Sequence, residues 1–140
     1  MKKIYKILGC ICVLWVTSLS LPLRGESISN IDTAQLSSEA NILVQQYFSA
    51  LEVGEIDTIR GILGGELLIR RQRLLSNPTY SNILQETYEN AQFTIKGVDV
   101  QADMSVLVDA RIILKSANRL NVKLILADLG QTGLHIINEF

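Results

Sequence analysis

Around Asn90 the spacing of the apolar residues changes, and no other feature constrains the fold as much. Upstream of it they recur at three and four residues; downstream they recur at two. The first spacing keeps apolar side chains on one stripe of an α-helix, the second on one face of a strand. Leu36, Ala40, Leu43, Val44, Tyr47, Phe48 and Leu51 form the first stripe. Asp32 is expected to open that helix with Gln35 as capping partner, and Gly54 to close it. Residues 26–31 read as a linker. Ile56, Ile59, Ile62 and Leu63 predict a short second helix, stopped at Gly64-Gly65. Leu67, Leu68, Leu74 and Leu75 predict a third over 66–75, with Arg70, Arg71 and Arg73 between them. Asn77-Pro78 breaks the chain and starts a fourth, with Asn as cap and Pro at the first position. It carries Tyr80, Ile83, Leu84, Thr87 and Tyr88.

Beyond Asn90, Ala91, Phe93 and Ile95 alternate with polar residues, and Val98 and Val100 continue on the other parity. Gly97 stands at the slip, as a β-bulge requires. Met104, Val106, Val108, Ala110, Ile112 and Leu114 share one parity, followed by Leu120, Val122, Leu124 and Leu126, then Leu134, Ile136 and Phe140. Turn-like residues separate these runs at 102–103, 116–118 and 130–133. The pattern predicts a four-stranded antiparallel meander with one buried face. Helices first and strands after give an α+β domain, with the helices packed on a curved sheet.

Upstream of this body, Lys2, Lys3 and Lys6 precede an apolar run from Ile7 to Leu19 that only Thr17 and Ser18 interrupt. A basic start and about 13 apolar residues make a secretory leader, short of the roughly 20 that span a membrane. Ser18, Ser20 and Gly25 are small enough for cleavage, and Gly25 is preferred because the helix-breaking Pro22 region precedes it. Residues 1–25 are therefore expected to be a signal peptide. Extended to Leu23 the run approaches spanning length, so a retained anchor is the alternative. Ile7-Leu8-Gly9-Cys10 has the letters of a lipobox, but the apolar run follows Cys10 instead of ending there. The body is expected in a bacterial periplasm or otherwise exported; with the leader kept, it is anchored in the inner membrane and faces the periplasm.

Without residues 1–25 the chain has nine basic and fourteen acidic residues, a net charge of −5. Nucleic-acid binding needs a basic face, so that partner class is not expected. Contact with a membrane is expected only through an uncleaved leader. Both cysteines, Cys10 and Cys12, lie in the leader, which leaves the body without a disulfide, a thiolate metal site or a cysteine nucleophile.

The stretch Val44-Gln-Gln-Tyr-Phe-Ser-Ala-Leu-Glu-Val-Gly-Glu-Ile-Asp57 resembles the opening of the nuclear transport factor 2 (NTF2) superfamily. There the first helix ends in a glycine-acid pair and a short helix follows; here Glu55 stands where Asp is usual. The resemblance covers residues 32–140 and implies an NTF2-like domain, a cystatin-like α+β cone whose mouth can hold a small molecule. The superfamily includes isomerases, dehydratases, exported lipid carriers and assembly subunits, so the fold by itself selects no activity.

Candidate site residues follow from the strand parities. His135, Asp109 and Glu139 stand at odd positions and are expected on the outer sheet face. Asn138 is then the one polar strand residue expected on the inner face, and no catalytic residue is assigned. With no histidine pair and no acidic triplet, no metal or cofactor is expected. Tyr47, Tyr80 and Tyr88 lie on apolar helix faces and, with Asn138 and Arg70, are the candidate ligand-binding residues. The ligand expected is small and apolar, and a protein partner is the alternative. The outer face also carries Leu107, Ile113, Ile125, Ala127 and Ile137, more apolar than a solvated face needs. Leu107, Ile113, Ile125, His135 and Ile137 are therefore expected to form a homodimer interface, which the resemblance also implies. The reading that results is an exported, non-catalytic binding domain. An isomerase or hydratase of the same fold and a membrane-tethered assembly subunit are the alternatives.

Overall fold

The computed structural model describes residues 25–130 and 133–140, with side chains from Asp32 onward. The expected signal peptide and both cysteines lie outside the described residues, apart from Gly25, as do Gln131 and Thr132 of the last predicted turn. Four helices precede four strands: α1 Gly25–Val53, α2 Ile56–Ile62, α3 Gly65–Leu75, α4 Tyr80–Tyr88, β1 Gln92–Val100, β2 Val106–Ile113, β3 Arg119–Asp128 and β4 Leu134–Glu139. The strands form one antiparallel sheet in the order β1-β2-β3-β4, which stays open. The period change at Asn90 thus marks the boundary between helices and sheet. No helix among the described residues is long and apolar enough to cross a membrane.

α1 starts earlier than its sequence suggests. It takes in residues 26–31, read above as a linker, and Asp32 lies within it and does not open it. No glycine or proline interrupts 26–31, so nothing local breaks the helix there. Gln35 Nε2 donates to Glu39 Oε1 at 2.9 Å, one turn on, and does not cap an end. From Ala40 the predicted stripe is buried: Ala40, Val44, Tyr47, Phe48 and Leu51 pack on the sheet with Val106, Val108, Leu124, Leu126 and Ile136. Burying a Leu, Ile, Val or Phe contributes about 1.5–3 kcal/mol each, so this stripe dominates the packing. Phe48 stacks on Phe93 of β1 at 4.7 Å between ring centroids.

Two glycine corners position the rest. Gly54 ends α1 at φ +69, where a Cβ would run into the Ser81 carbonyl oxygen. Ser81 Oγ donates to Gly54 O at 2.7 Å, and Gln85 Nε2 donates to Val53 O at 2.7 Å. α4 thereby satisfies the last carbonyls of α1. At the second corner, Gly64 N–H donates to Ile136 O at 2.9 Å, and Leu63 bridges to Ile136. A Cβ on Gly64 would lie 2.6 Å from a Leu129 methyl and 2.7 Å from His135 Cβ. This close approach lays α3 against β4. α4 begins at Tyr80, two residues later than predicted, because Asn77 Oδ1 accepts from Thr79 N–H (3.0 Å) and Oγ1 (2.8 Å) and holds Pro78 in a turn.

The bulge expected at Gly97 is present: Ile95 pairs with Ala110 and Gly97 with Asp109, leaving Lys96 as the extra residue. A second bulge lies in β4. Leu126 pairs with Ile136 but Ile125 pairs with Asn138, so Ile137 is the extra residue. Met104 lies outside the strand parity given to it above. It sits in the β1–β2 turn with φ +65 and is half exposed.

Candidate functional site

The β4 bulge changes which side chains face the helices. An inserted residue shifts the alternation by one, so every side chain beyond it changes face. Ile136 points into the core, fully buried. Beyond the bulge Asn138 pairs with the outer-face Ile125, and Glu139 pairs with the buried Leu124. The assignments made from simple alternation are therefore exchanged. Glu139 stands on the helix-facing side and Asn138 on the outer side.

Around Glu139 the structure gathers groups from four elements. Arg71 of α3 donates through Nη2 to Glu139 Oε2 at 2.7 Å. The Tyr47 hydroxyl of α1 approaches the same oxygen at 3.5 Å. Arg71 Nη1 lies 3.5 Å from the Tyr80 hydroxyl at the start of α4. Tyr88, at the other end of α4, packs on Phe93 with ring centroids 6.2 Å apart. Tyr47 is buried, whereas the side chains of Arg71 and Glu139 remain 32% and 21% exposed. The three predicted tyrosines thus meet at one place, and Arg71 and Glu139 complete the group.

Burial sets the electrostatics of this cluster. It pushes the Tyr47 phenol far above the ordinary tyrosine value; the Glu139 carboxylate adds to the shift and Arg71 partly opposes it. Burial raises Tyr88 as well, again with help from Glu139. For Arg71 burial opposes the charge, but Glu139, Tyr47 and Tyr80 outweigh it and hold the guanidinium above its ordinary value. At neutral pH Tyr47 and Tyr88 therefore stay protonated, able to donate to a carbonyl or hydroxyl oxygen. Arg71 engages one oxygen of the carboxylate. The Tyr47 hydroxyl approaches that same oxygen, so the contacts at Oε2 clasp α1 and α3 to β4.

Arg70 and Asn138, the other two predicted ligand residues, lie apart from this cluster. Arg70 Nη2 donates to Asn138 Oδ1 at 3.0 Å, beside a groove of about 400 Å³ lined by Gly65, Ile125, Leu129 and Ile137. Neither this groove nor four others of about 420–640 Å³ is lined by Tyr47, Arg71, Tyr80, Tyr88 or Glu139. The polar cluster is a filled clasp whose groups serve one another. Among the described residues no three His, Cys, Asp or Glu side chains are placed to hold a metal.

The helices pack on the opposite side of the sheet from Leu107, Asp109, Arg111 and Ile113. These outer-face residues alternate with the buried Val106, Val108, Ala110 and Ile112. Across the sheet the residues fall into rows. Leu107 pairs with Ile125, Asp109 with Lys123, Arg111 with Asn121 and Ile113 with Arg119. Ala127 pairs with His135 one step beyond Leu107. The residues expected at a dimer interface thus divide: Leu107, Ile125, His135 and Ile137 cluster at one end, and Ile113 stands at the other. A charged band lies between them. His135 Nδ1 sits 2.8 Å from Gly133 O, on the outer side as expected.

The sequence reading chose Arg70 over Arg71 and placed Glu139 on the outer face. The doubled Ile136-Ile137 sits at the slip but is not a specific signal, because Ile112-Ile113 in β2 is doubled and pairs without a bulge. Arg71 had no signal either, because Arg70, Arg71 and Arg73 are chemically alike and only the packing of α3 separates them. Comparison of the chain with protein-family models, curated proteins and solved structures finds no match.

Proposed function

We propose that this chain is an exported, non-catalytic interaction module on an NTF2-like, cystatin-like cone, working as a homodimer joined through the outer face of its sheet. The outer face carries this reading. Among the described residues α3 borders this face only at β4, where Arg70 reaches Asn138 and Gly65 lies beside Ile137, and the face presents Leu107, Ile113, Ile125, Ala127 and Ile137. Apolar residues gathered on an unpartnered face mark an interface. Four strands about 4.8 Å apart and eight residues long at about 3.3 Å each give a footprint of roughly 500 Å². That is the order of area a standard interface buries on each partner, about 800 Å² of accessible surface. The leader of residues 1–25 supports delivery to a bacterial periplasm, and a retained leader would make the module a membrane-tethered assembly subunit. A small apolar ligand is the secondary partner, and at the clasp it would have to displace packed groups, because Tyr47, Arg71, Tyr80, Tyr88 and Glu139 line none of the five grooves.

Sedimentation tests the dimer. The wild type is expected to be dimeric, and the double variant Ile113→Lys, Ile125→Lys a folded monomer. A double variant that stays dimeric would move the interface elsewhere, and a monomeric wild type would remove the dimer altogether.

Glu139 favours a second reading. A carboxylate on the helix-facing side among three tyrosines has the parts of an isomerase or hydratase: donors to polarise a carbonyl and an acid to move a proton. Deuterium exchange into the α-carbon of simple ketones, lost in Glu139→Gln, would support it. No exchange above the buffer rate would dismiss it for that substrate class.

A further inference from the structure

The outer face also specifies how a second copy would sit on it; this step rests on the homodimer reading and gives it a geometry. β2 and β3 are antiparallel neighbours, and the residues paired across their seam are complementary. Leu107 faces Ile125, Asp109 faces Lys123 and Arg111 faces Asn121. The contacts within one chain are loose: Asp109 Oδ1 to Lys123 Nζ is 3.8 Å, and Arg111 Nε to Asn121 Oδ1 is 3.4 Å. The Asp109 and Lys123 side chains are each about half exposed.

A two-fold axis relating face-to-face sheets lies in the interface plane, and every contact it creates is made twice. Run along the β2–β3 seam, it lays β2 of one copy over β3 of the other. Each outer-face residue then meets the copy of its own cross-strand partner. Leu107 packs on Ile125, and Arg111 reaches Asn121. The two Asp109 and two Lys123 side chains form a square in which every charge has two opposite neighbours. At the flank, Lys96 of one copy comes over the exposed ring of Phe140 in the other, because Phe140 pairs with Lys123 and shares its groove with Lys96. An axis run across the strands through the charged band instead lays Asp109 on Asp109 and Lys123 on Lys123, which repel. We propose that a second copy of this chain docks on the outer face about a two-fold axis along the β2–β3 seam, with the Asp109–Lys123 square at its centre. The sheets are then aligned, as in the common sandwich packing.

Sedimentation equilibrium of four proteins tests this, with circular dichroism to establish that each is folded. Asp109→Lys and Lys123→Asp each make the square all of one sign and are expected to weaken association at least about a hundredfold. The double variant Asp109→Lys, Lys123→Asp restores alternation and is expected to dimerise like the wild type. An equimolar mixture of the two single variants sets two cations against two anions and is expected to form heterodimer, which no rescue within one chain can imitate. Singly substituted proteins that remain dimeric would overturn the seam arrangement and leave the dimer reading standing. A wild type that is monomeric would overturn both; if it then bound a glutamate-rich peptide, the groove of Lys96, Arg111 and Lys123 would belong to an acidic partner.

Discussion

Replacing Tyr47 with Phe is expected to cost stability at neutral pH and to add stability in alkali. Tyr47 is buried, and its hydroxyl has a carboxylate oxygen of Glu139 at 3.5 Å. A bond that long contributes little, so the variant should lose about 0.5–1 kcal/mol at pH 7. The alkaline effect follows from the raised folded-state pKa. An unfolded tyrosine ionises near pH ~10, whereas the native phenol holds its proton above that. Below pH ~10 both states are protonated and the native state keeps its full stability. Above it the unfolded state alone sheds the proton, so stability falls as pH rises, by about 1.4 kcal/mol per pH unit for this one group. The variant lacks that loss. The two stability curves should therefore cross near pH ~10.1–10.7, where the accumulated penalty equals the lost hydrogen bond. Urea denaturation of both proteins at intervals from about pH 8 to about pH 12 would reveal the crossing. The other titratable groups are common to both proteins, so to first order they drop out of the difference. A difference that stays constant over the whole range would refute the burial of the Tyr47 hydroxyl beside Glu139.

Gly54→Ala should cost about 2–4 kcal/mol, combining a left-handed backbone with a methyl driven into the Ser81 carbonyl; a shift in urea midpoint under 0.5 kcal/mol would contradict that corner. Glu139→Ala and Arg71→Ala should each cost about 1–3 kcal/mol, because each leaves a half-buried charge unpartnered. The double variant should fall short of their sum by about 1 kcal/mol, the rest being screened by solvent at side chains a fifth to a third exposed, and strict additivity would deny the pair. Deleting Ile137 should give a folded protein that keeps the alkaline behaviour of Tyr47, since the remaining residues then pair without a bulge, Asn138 with Ile125 and Glu139 with Leu124. Loss of that behaviour on deletion would mean that Glu139 needs the bulge to face the helices.

Sequence period was sufficient wherever packing follows one repeating rule. The stripe from Ala40 to Leu51 is buried as predicted, and the alternating Val106, Val108, Ala110 and Ile112 line the core. Gly97 announced its bulge because glycine is rare within strands and prompts the question. At Ile137 a β-branched residue, at home in any strand, takes the extra position. Nothing in its chemistry contradicts regular alternation, and the doubled isoleucine does not either, since Ile112-Ile113 pairs regularly in β2. Whether Ile137 is paired or left out of the ladder decides whether the Glu139 carboxylate faces solvent or the tyrosines. The candidate ligand residues divide along the same line: Tyr47, Tyr80 and Tyr88 were legible from helical spacing, while Asn138 and Glu139 depended on a register that spacing does not carry. The first helix shows the converse. Residues 26–31 are polar enough to read as a linker, yet helix needs no apolar stripe where no breaker stands and a packed segment follows to extend from.

The two faces of the sheet therefore ask for different partners. On the helix side Arg71 and Glu139 neutralise each other, and Tyr47 and Tyr88 stay protonated, so the clasp offers donors but no net charge. Such a site suits an uncharged acceptor and gives no reason to expect an anionic ligand. On the outer side Asp109 and Lys123 stand half exposed and loosely paired between the apolar Leu107–Ile125 row and the polar Arg111–Asn121 row. An ion pair of that kind contributes little to a lone chain. Placed against its own two-fold image, the same pair becomes the charge pattern that fixes register and excludes the crosswise arrangement. In the proposed dimer the Leu107–Ile125 row would supply apolar area and the charged band beside it the specificity.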